Sequence, residues 1–240
     1  MQRDIKRFKK NNRITMGNRI NYDYIEDHIN VMTERGSIFS ASPRRAFLDD
    51  LHQNAKAKGL PVTRPQVEAF LRWQIGMLKP KKILEIGTCI GYSAITMLDA
   101  AGDDCTLTTI ECEESALLEA RSNFEKSGLS GRITSFLGDS SDIMPLMSGE
   151  FDFIFMDAAK AQYLSLMNEC LRMLKPGGVI VCDDVLFYGM ISGDRSLLNP
   201  RKITIVKRMK VFLDKMMTDP NLETLLLPVG DGLCVSRKLR

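Results

Sequence analysis

"KKILEIGTCIGYSAI", Lys81 to Ile95, decides the fold. Its "KILEI" is an apolar run of strand length, the chain then drops onto Gly87 and Gly91, and apolar helical spacing resumes from about Tyr92. A strand, a glycine turn and a helix in that order are how an open α/β sheet meets a ligand at the carboxyl end of its first parallel strand. Glycine permits both the tight turn and the close approach of backbone to that ligand. The spacing matches neither GxGxxG nor GxxxxGK[ST], so a nucleoside-like ligand without a pyrophosphate is favoured.

Downstream, short β-branched runs alternate with helical segments. "TLTTI", "ITSF", "FDFIFM" and "GVIVC" read as strands, and "SALLEARSNFEKSG" and "YLSLMNECLRML" read as the helices between them. The alternation predicts an α/β, Rossmann-like, mostly parallel sheet with helices on both faces. After a long loop and the basic helix "RKITIVKRMKVFLDKMM", the runs "LETLLL" and "GLCVSR" flank the turn "PVGDG" and predict a closing hairpin whose last strand is antiparallel.

Upstream, from Ile20 to Leu78, apolar residues recur at three and four, with Pro43 and Pro65 as helix starters and Gly59 as a stop. The 240 residues suit one α/β domain with an N-terminal helical addition: helices over 20–80 and a core over 81–240. Residues 1–19 carry seven basic groups against Asp4 and read as a flexible basic arm, or as an upstream extension should translation start at Met16. The six cysteines lack CxxC spacing and mostly sit in apolar runs, which predicts reduced thiols and a cytoplasmic protein. No apolar run is long enough to span a membrane, and no secretory signal follows the basic start. Neither a membrane nor DNA is expected as a partner.

Glu111 follows the second strand, where an acidic side chain can accept hydrogen bonds from both hydroxyls of a ribose. "GDS", Gly138 to Ser140, closes the third strand and suits an adenine edge. Asp157 closes the fourth strand, and Asp183 with Asp184 closes the fifth. Three carboxylates at neighbouring strand ends repel one another unless a positive group sits among them, and a hard divalent cation, Mg²⁺ or Mn²⁺, is the expected one. His28 and His52 are the only histidines and both lie in the helical region, which excludes a two-histidine metal centre. Lys160 either neutralises local charge or serves as a base or orienting cation.

"KKILEIGTCIGYSAI", "FDFIFMDAAKAQY", "GGVIVCDDVLFYG" and "PVGDGLCVS" together resemble the cation-dependent O-methyltransferases that include the catechol and caffeoyl-coenzyme A enzymes. The resemblance covers Ile20 onward, and within the family "DAAKAQY" and "VLFYG" look most like the bacterial tRNA 5-hydroxyuridine methyltransferases. It implies a seven-stranded sheet with an antiparallel last strand, S-adenosylmethionine as methyl donor, a divalent cation and a homodimer. It assigns the donor pocket to Val62, Gly87, Thr88, Gly91, Ser93, Glu111, Asp139, Ser140 and Asp157. The metal falls to Asp157, Asp183 and Asp184, and catalysis to Lys160 with Asp157. Asp184 stands where the family usually has asparagine, an extra negative charge that would tighten the cation while blunting its effect on a bound oxygen. The cation would favour the acceptor oxyanion, Lys160 would take the leaving proton or stabilise the anion, and the oxygen would attack the methyl in line.

For the acceptor, the basic arm, Arg44, Arg45 and the helix bearing Arg201, Lys202, Lys207 and Arg208 point to tRNA phosphates. The expectation is methylation of 5-hydroxyuridine at the wobble position, U34, giving 5-methoxyuridine. The alternatives are a small catechol-like or caffeoyl-coenzyme A-like acceptor, and a non-catalytic RNA-binding module.

Overall fold

β1 (Lys82–Ile86) sits at the middle of a seven-stranded sheet in a computed structural model that describes residues 23–40, 42–193 and 202–240. With β2 (Thr106–Glu111), β3 (Ile133–Leu137), β4 (Phe151–Met156), β5 (Leu174–Cys182), β6 (Leu222–Leu227) and β7 (Leu233–Lys238), the order is β3-β2-β1-β4-β5-β7-β6. β1 to β5 are parallel, and β7 runs antiparallel to both β5 and β6. The basic arm expected over 1–19 lies outside the described residues, as does Arg201.

The strands are apolar on both faces because helices cover both. Along β4, Phe153 and Phe155 join one core with Ile83, while Ile154 and Met156 join the other with Leu84 and Ile86. The first core is closed by α3 (Arg45–Ala57), α4 (Pro65–Leu78), α5 (Tyr92–Ala100) and α6 (Glu114–Lys126), which follow α1 (Asp23–Glu34) and α2 (Ser37–Ser40) in the chain. The second is closed by α8 (Tyr163–Met173) and α9 (Ile203–Thr218), with the short α7 (Ser140–Ile143) before β4. α9 buries Val206, Met209, Phe212, Leu213 and Met216, a stripe at helical spacing that leaves its basic residues on the outer side.

A buried ion network fastens the N-terminal helices to this core. Arg72 bonds Glu68 at 2.9 Å and Asp99 at 2.8 Å, Arg44 reaches Asp99 at 3.1 Å, and Arg45 reaches Glu68 at 2.9 Å. The Tyr92 hydroxyl donates to the other Glu68 oxygen at 2.6 Å. Arg44 and Arg45, expected to meet tRNA, are therefore structural: each guanidinium is held by a carboxylate that is itself buried.

The six cysteines are all free thiols. Among the described residues no helix is long and apolar enough to cross a membrane.

Candidate active site

The chain leaves β1 towards β2 and β3 on one side and returns to β4 on the other, which opens a crevice at the carboxyl ends of β1 and β4. A cleft of about 610 Å³ occupies it. Val62, Gly87, Thr88, Ser93, Glu111, Asp139, Ser140, Asp157, Lys160, Asp183 and Asp184 line this one cleft, together with Arg64, Cys89, Tyr92, Cys112, Gln162 and Tyr188.

On the β1 side, the loop is pinned by the Gly87 amide on the Ile110 carbonyl and closed by the Gly91 amide on the Thr88 carbonyl. Glu111 accepts from the Cys89 amide at 2.8 Å through one oxygen and from the Glu113 amide at 2.9 Å through the other. Asp139 caps α7 by accepting from the Ser141 amide, and the Gln162 amide nitrogen donates to it at 3.0 Å. Those bonds hold its carboxyl below the usual carboxylate range, the Ser141 amide being the largest cause.

The two glycines serve packing more than expected. A Cβ on Gly87 would lie 2.2 Å from the Asp157 carbonyl oxygen, and one on Gly91 would lie 2.4 Å from the Phe124 ring. Both have left-handed φ, +99° and +82°, which glycine adopts without strain. Gly91 is not among the cleft-lining residues: it lets α5 start against α6. Beneath the loop, Glu85 is fully buried and accepts from Ser93 at 2.5 Å and Thr109 at 2.7 Å. Burial pushes its carboxyl up to about 8. A lone acidic residue inside an apolar strand is the sequence signal for it.

On the β4 and β5 side, the Tyr163 hydroxyl ties the two strand ends together, reaching the Asp183 carbonyl at 2.7 Å and the Met156 carbonyl at 3.1 Å. Asp157 faces the cleft, yet the walls around it disfavour its charge; that loss of water, then the nearby Asp184 charge, raises its carboxyl to about 6. Asp183 is buried and pushed well up, first by burial and then by Asp157 and Asp184. Lys160 Nζ lies 2.8 Å from Asp184 Oδ2. Burial works against its charge, but Asp184, with Asp157 and Asp231 behind it, more than compensates, so the ammonium is held above its ordinary value.

The expectation of a metal site is corrected here. Among the described residues no group of three or more His, Cys, Asp and Glu side chains is arranged to hold a metal ion. Asp184 is already neutralised by Lys160, and Asp183 takes a backbone amide, that of Asp184, at 2.6 Å. The Lys160 ammonium is an internal positive group beside Asp184, so part of the repulsion among the three carboxylates is met within the protein. As arranged, these residues do not fit the three-carboxylate site.

The segment after Asp184 carries features with no mark in the local sequence. Asp184, Phe187 and Tyr188 all have left-handed φ, at 57°, 46° and 55°. The Phe187 ring lies under the Lys160 ammonium at 5.7 Å and the Lys202 ammonium at 5.4 Å. Asp231, from the β6–β7 turn, accepts the Tyr188 amide with both carboxylate oxygens, at 2.6 and 2.7 Å.

A family profile described as O-methyltransferase matches residues 39–239. The caffeoyl-CoA O-methyltransferase of Populus kitakamiensis is 27% identical over 176 residues, covering 71% of this chain and 75% of that one. The catechol O-methyltransferase of Niastella koreensis is 33% identical over 144 residues, covering 58% and 65%. Among solved structures, an O-methyltransferase from Bacillus cereus in complex with S-adenosylhomocysteine superposes with a TM-score of 0.76 at 25% identity, covering 88% of this chain and 97% of that one. The S-adenosylhomocysteine-bound Podospora anserina methyltransferase PaMTH1 gives 0.75 at 25% identity, covering 91% and 97%.

These likenesses overturn the tRNA reading, and with it RNA binding and tRNA processing: the relatives' names point to caffeoyl-CoA and catechol. The basic residues agree. Arg44 and Arg45 are held by Asp99 and Glu68, Lys202 lies over Phe187, and Lys207 and Arg208 stand on the exposed face of α9.

Proposed function

Since the chain belongs to the O-methyltransferase family and is an S-adenosylmethionine-dependent O-methyltransferase, we propose that it methylates one hydroxyl of a small catechol-like or caffeoyl-CoA-like acceptor. The observation that carries the reading is the convergence of Asp157, Lys160 and Asp184 in the same cleft as the Gly87 loop and Glu111. Donor side and acceptor side share one wall, at Asp157.

Glu111 would take the ribose hydroxyls, Asp139 and Ser140 the adenine edge, and Val62, Gly87, Thr88 and Ser93 the rest of the donor. Asp157, whose carboxyl is raised to about 6 by burial and then by Asp184, would accept the proton of the acceptor hydroxyl. The Lys160 ammonium, oriented by Asp184, would stabilise the oxyanion left behind. That oxygen would attack the methyl carbon in line as the carbon–sulfur bond breaks, so the sulfonium leaves as a neutral thioether and the proton stays on Asp157. No covalent enzyme intermediate is needed.

The test is turnover. The purified protein with S-adenosylmethionine is offered catechol and caffeoyl-CoA, and methylated product is measured by mass spectrometry. Methyl ether from either supports the reading; donor binding without product from both would overturn the acceptor class.

A further inference from the structure

The β6–β7 turn holds the acceptor wall from behind. We infer that Asp231 is a positioning residue for the acceptor, acting through the Tyr188 amide, and that it sets acceptor affinity while leaving donor affinity alone; the inference rests on the reading of the cleft above. Asp231 is 2% exposed and is not among the cleft-lining residues, so it acts through another group.

Three observations converge on it. Residues 184–188 contain three non-glycine residues in the left-handed region, a conformation that costs about 1–3 kcal/mol per residue unless the surroundings enforce it. Three main-chain amides of the segment are held by the β6–β7 turn: the Val185 amide bonds the Gly232 carbonyl, the Leu186 amide bonds the Asp231 carbonyl, and the Tyr188 amide bonds both oxygens of the Asp231 carboxylate. A Cβ on Gly232 would lie 2.4 Å from Leu186 Cγ, so turn and strap are in direct contact.

What the strap presents is the acceptor half of the cleft. Asp184 at one end orients Lys160, and Tyr188 at the other end lines the cleft and is 45% exposed. Phe187, between them, is buried beneath the Lys160 ammonium. Releasing the Tyr188 amide frees Tyr188 and Phe187 to leave left-handed φ, which moves the wall and the ring under Lys160. The Gly87 loop and Glu111 are held by their own bonds to Ile110 and Cys89 and stay in place.

The experiment compares Asp231→Ala and Asp231→Asn with the wild type by three readouts. These are hydrogen–deuterium exchange of the 184–190 segment, calorimetric affinity for S-adenosylhomocysteine, and KM and kcat for catechol. Asp231→Ala should speed exchange of that segment and raise the catechol KM, each by about tenfold, the loss expected for a charge-assisted bond. Its S-adenosylhomocysteine affinity should stay within about twofold. Asp231→Asn keeps one oxygen for the amide and should fall between, so it carries the test should the alanine variant not fold. Unchanged exchange and KM in a folded variant would overturn the inference, as would a parallel loss of donor affinity. A wild type inert towards catechol would instead count against the acceptor class, and the exchange data would still decide whether Asp231 holds the strap.

Discussion

Lys160 Nζ and Asp184 Oδ2 are 2.8 Å apart, and the pair is partly sheltered from solvent. An ammonium fixed in this way keeps its charge through the neutral range, which makes Lys160 a poor base and a good partner for an oxyanion. Lys160→Met should lower kcat for methyl transfer by about 10² or more while the affinity for S-adenosylhomocysteine is preserved. Steady-state kinetics and calorimetry on the same preparation separate the two, and a full-rate variant would remove Lys160 from the chemistry.

Activity should depend on the acidic cluster. A proton acceptor works only when ionised, so kcat/KM should climb as pH rises through about 6 and then level off. The limb belongs to Asp157 together with the buried Asp183 beside it rather than to one carboxyl. Asp157→Asn should abolish turnover across the range. A pH–rate profile that is flat through this region would reject Asp157 as the acceptor of the proton.

Glu85 makes a prediction about stability. Its folded pKa, about 8, lies above the ordinary glutamate value, so the folded state keeps a proton that the unfolded chain releases. The contribution is full in acid and is lost as pH rises towards about 8, at no more than about 1.4 kcal/mol per pH unit. Glu85→Gln has no such titration. Urea denaturation between about pH 5 and 8 should therefore show wild type losing stability relative to the variant. Parallel curves would mean that Glu85 is ionised in the fold.

The two loop glycines should respond differently to rescue. Gly91→Ala and Gly87→Ala should each destabilise by about 1–3 kcal/mol from the left-handed backbone alone, with the clash in addition. The Gly91 clash is with the Phe124 side chain, so Phe124→Leu should recover part of the loss. At Gly87 the obstacle is the Asp157 backbone, which no side-chain change can move. Thermal unfolding of the single and double variants checks this.

Arg72 joins Glu68 to Asp99 inside the protein. Arg72→Met would leave two buried carboxylates short of a partner and should cost about 3–5 kcal/mol in chemical denaturation. Loss of less than about 1 kcal/mol would show that Arg44 and Arg45 suffice to hold both acids.

The strands were legible because burial on both faces leaves plain β-branched and aromatic runs such as "KILEI" and "FDFIFM". β5 begins four residues before the "GVIVC" run, at Leu174; Lys175, Pro176 and Gly177 disguise that start, where the pairing with β4 shifts register between Phe151 and Phe153. The cleft residues were legible for a related reason: parallel strands deliver their ends to one edge, so position in a strand predicts position in the site. Partnership across distance was not legible. Arg44 and Arg45 looked like surface cations because their carboxylates lie 55 and 23 positions away. Asp231 looked like a turn residue because its bond to Tyr188 spans 43 positions. The three aspartates looked like a cation site because nothing local says that Lys160 turns back onto Asp184.

β7 lies between β5 and β6, although it follows both in the chain. A ribosome making this protein therefore finishes an interior strand after every other strand of the sheet has been made. Until residues 233–238 arrive, β5 has an open edge along Val179 to Cys182, and β6 has no neighbour to dock on. An open edge of that kind is a template for pairing with another nascent chain. The period of greatest exposure to aggregation thus falls between the making of β6 and that of β7, and a premature stop a few codons before Leu233 would leave β5 with an open edge and β6 with no neighbour, instead of shortening the sheet by one strand.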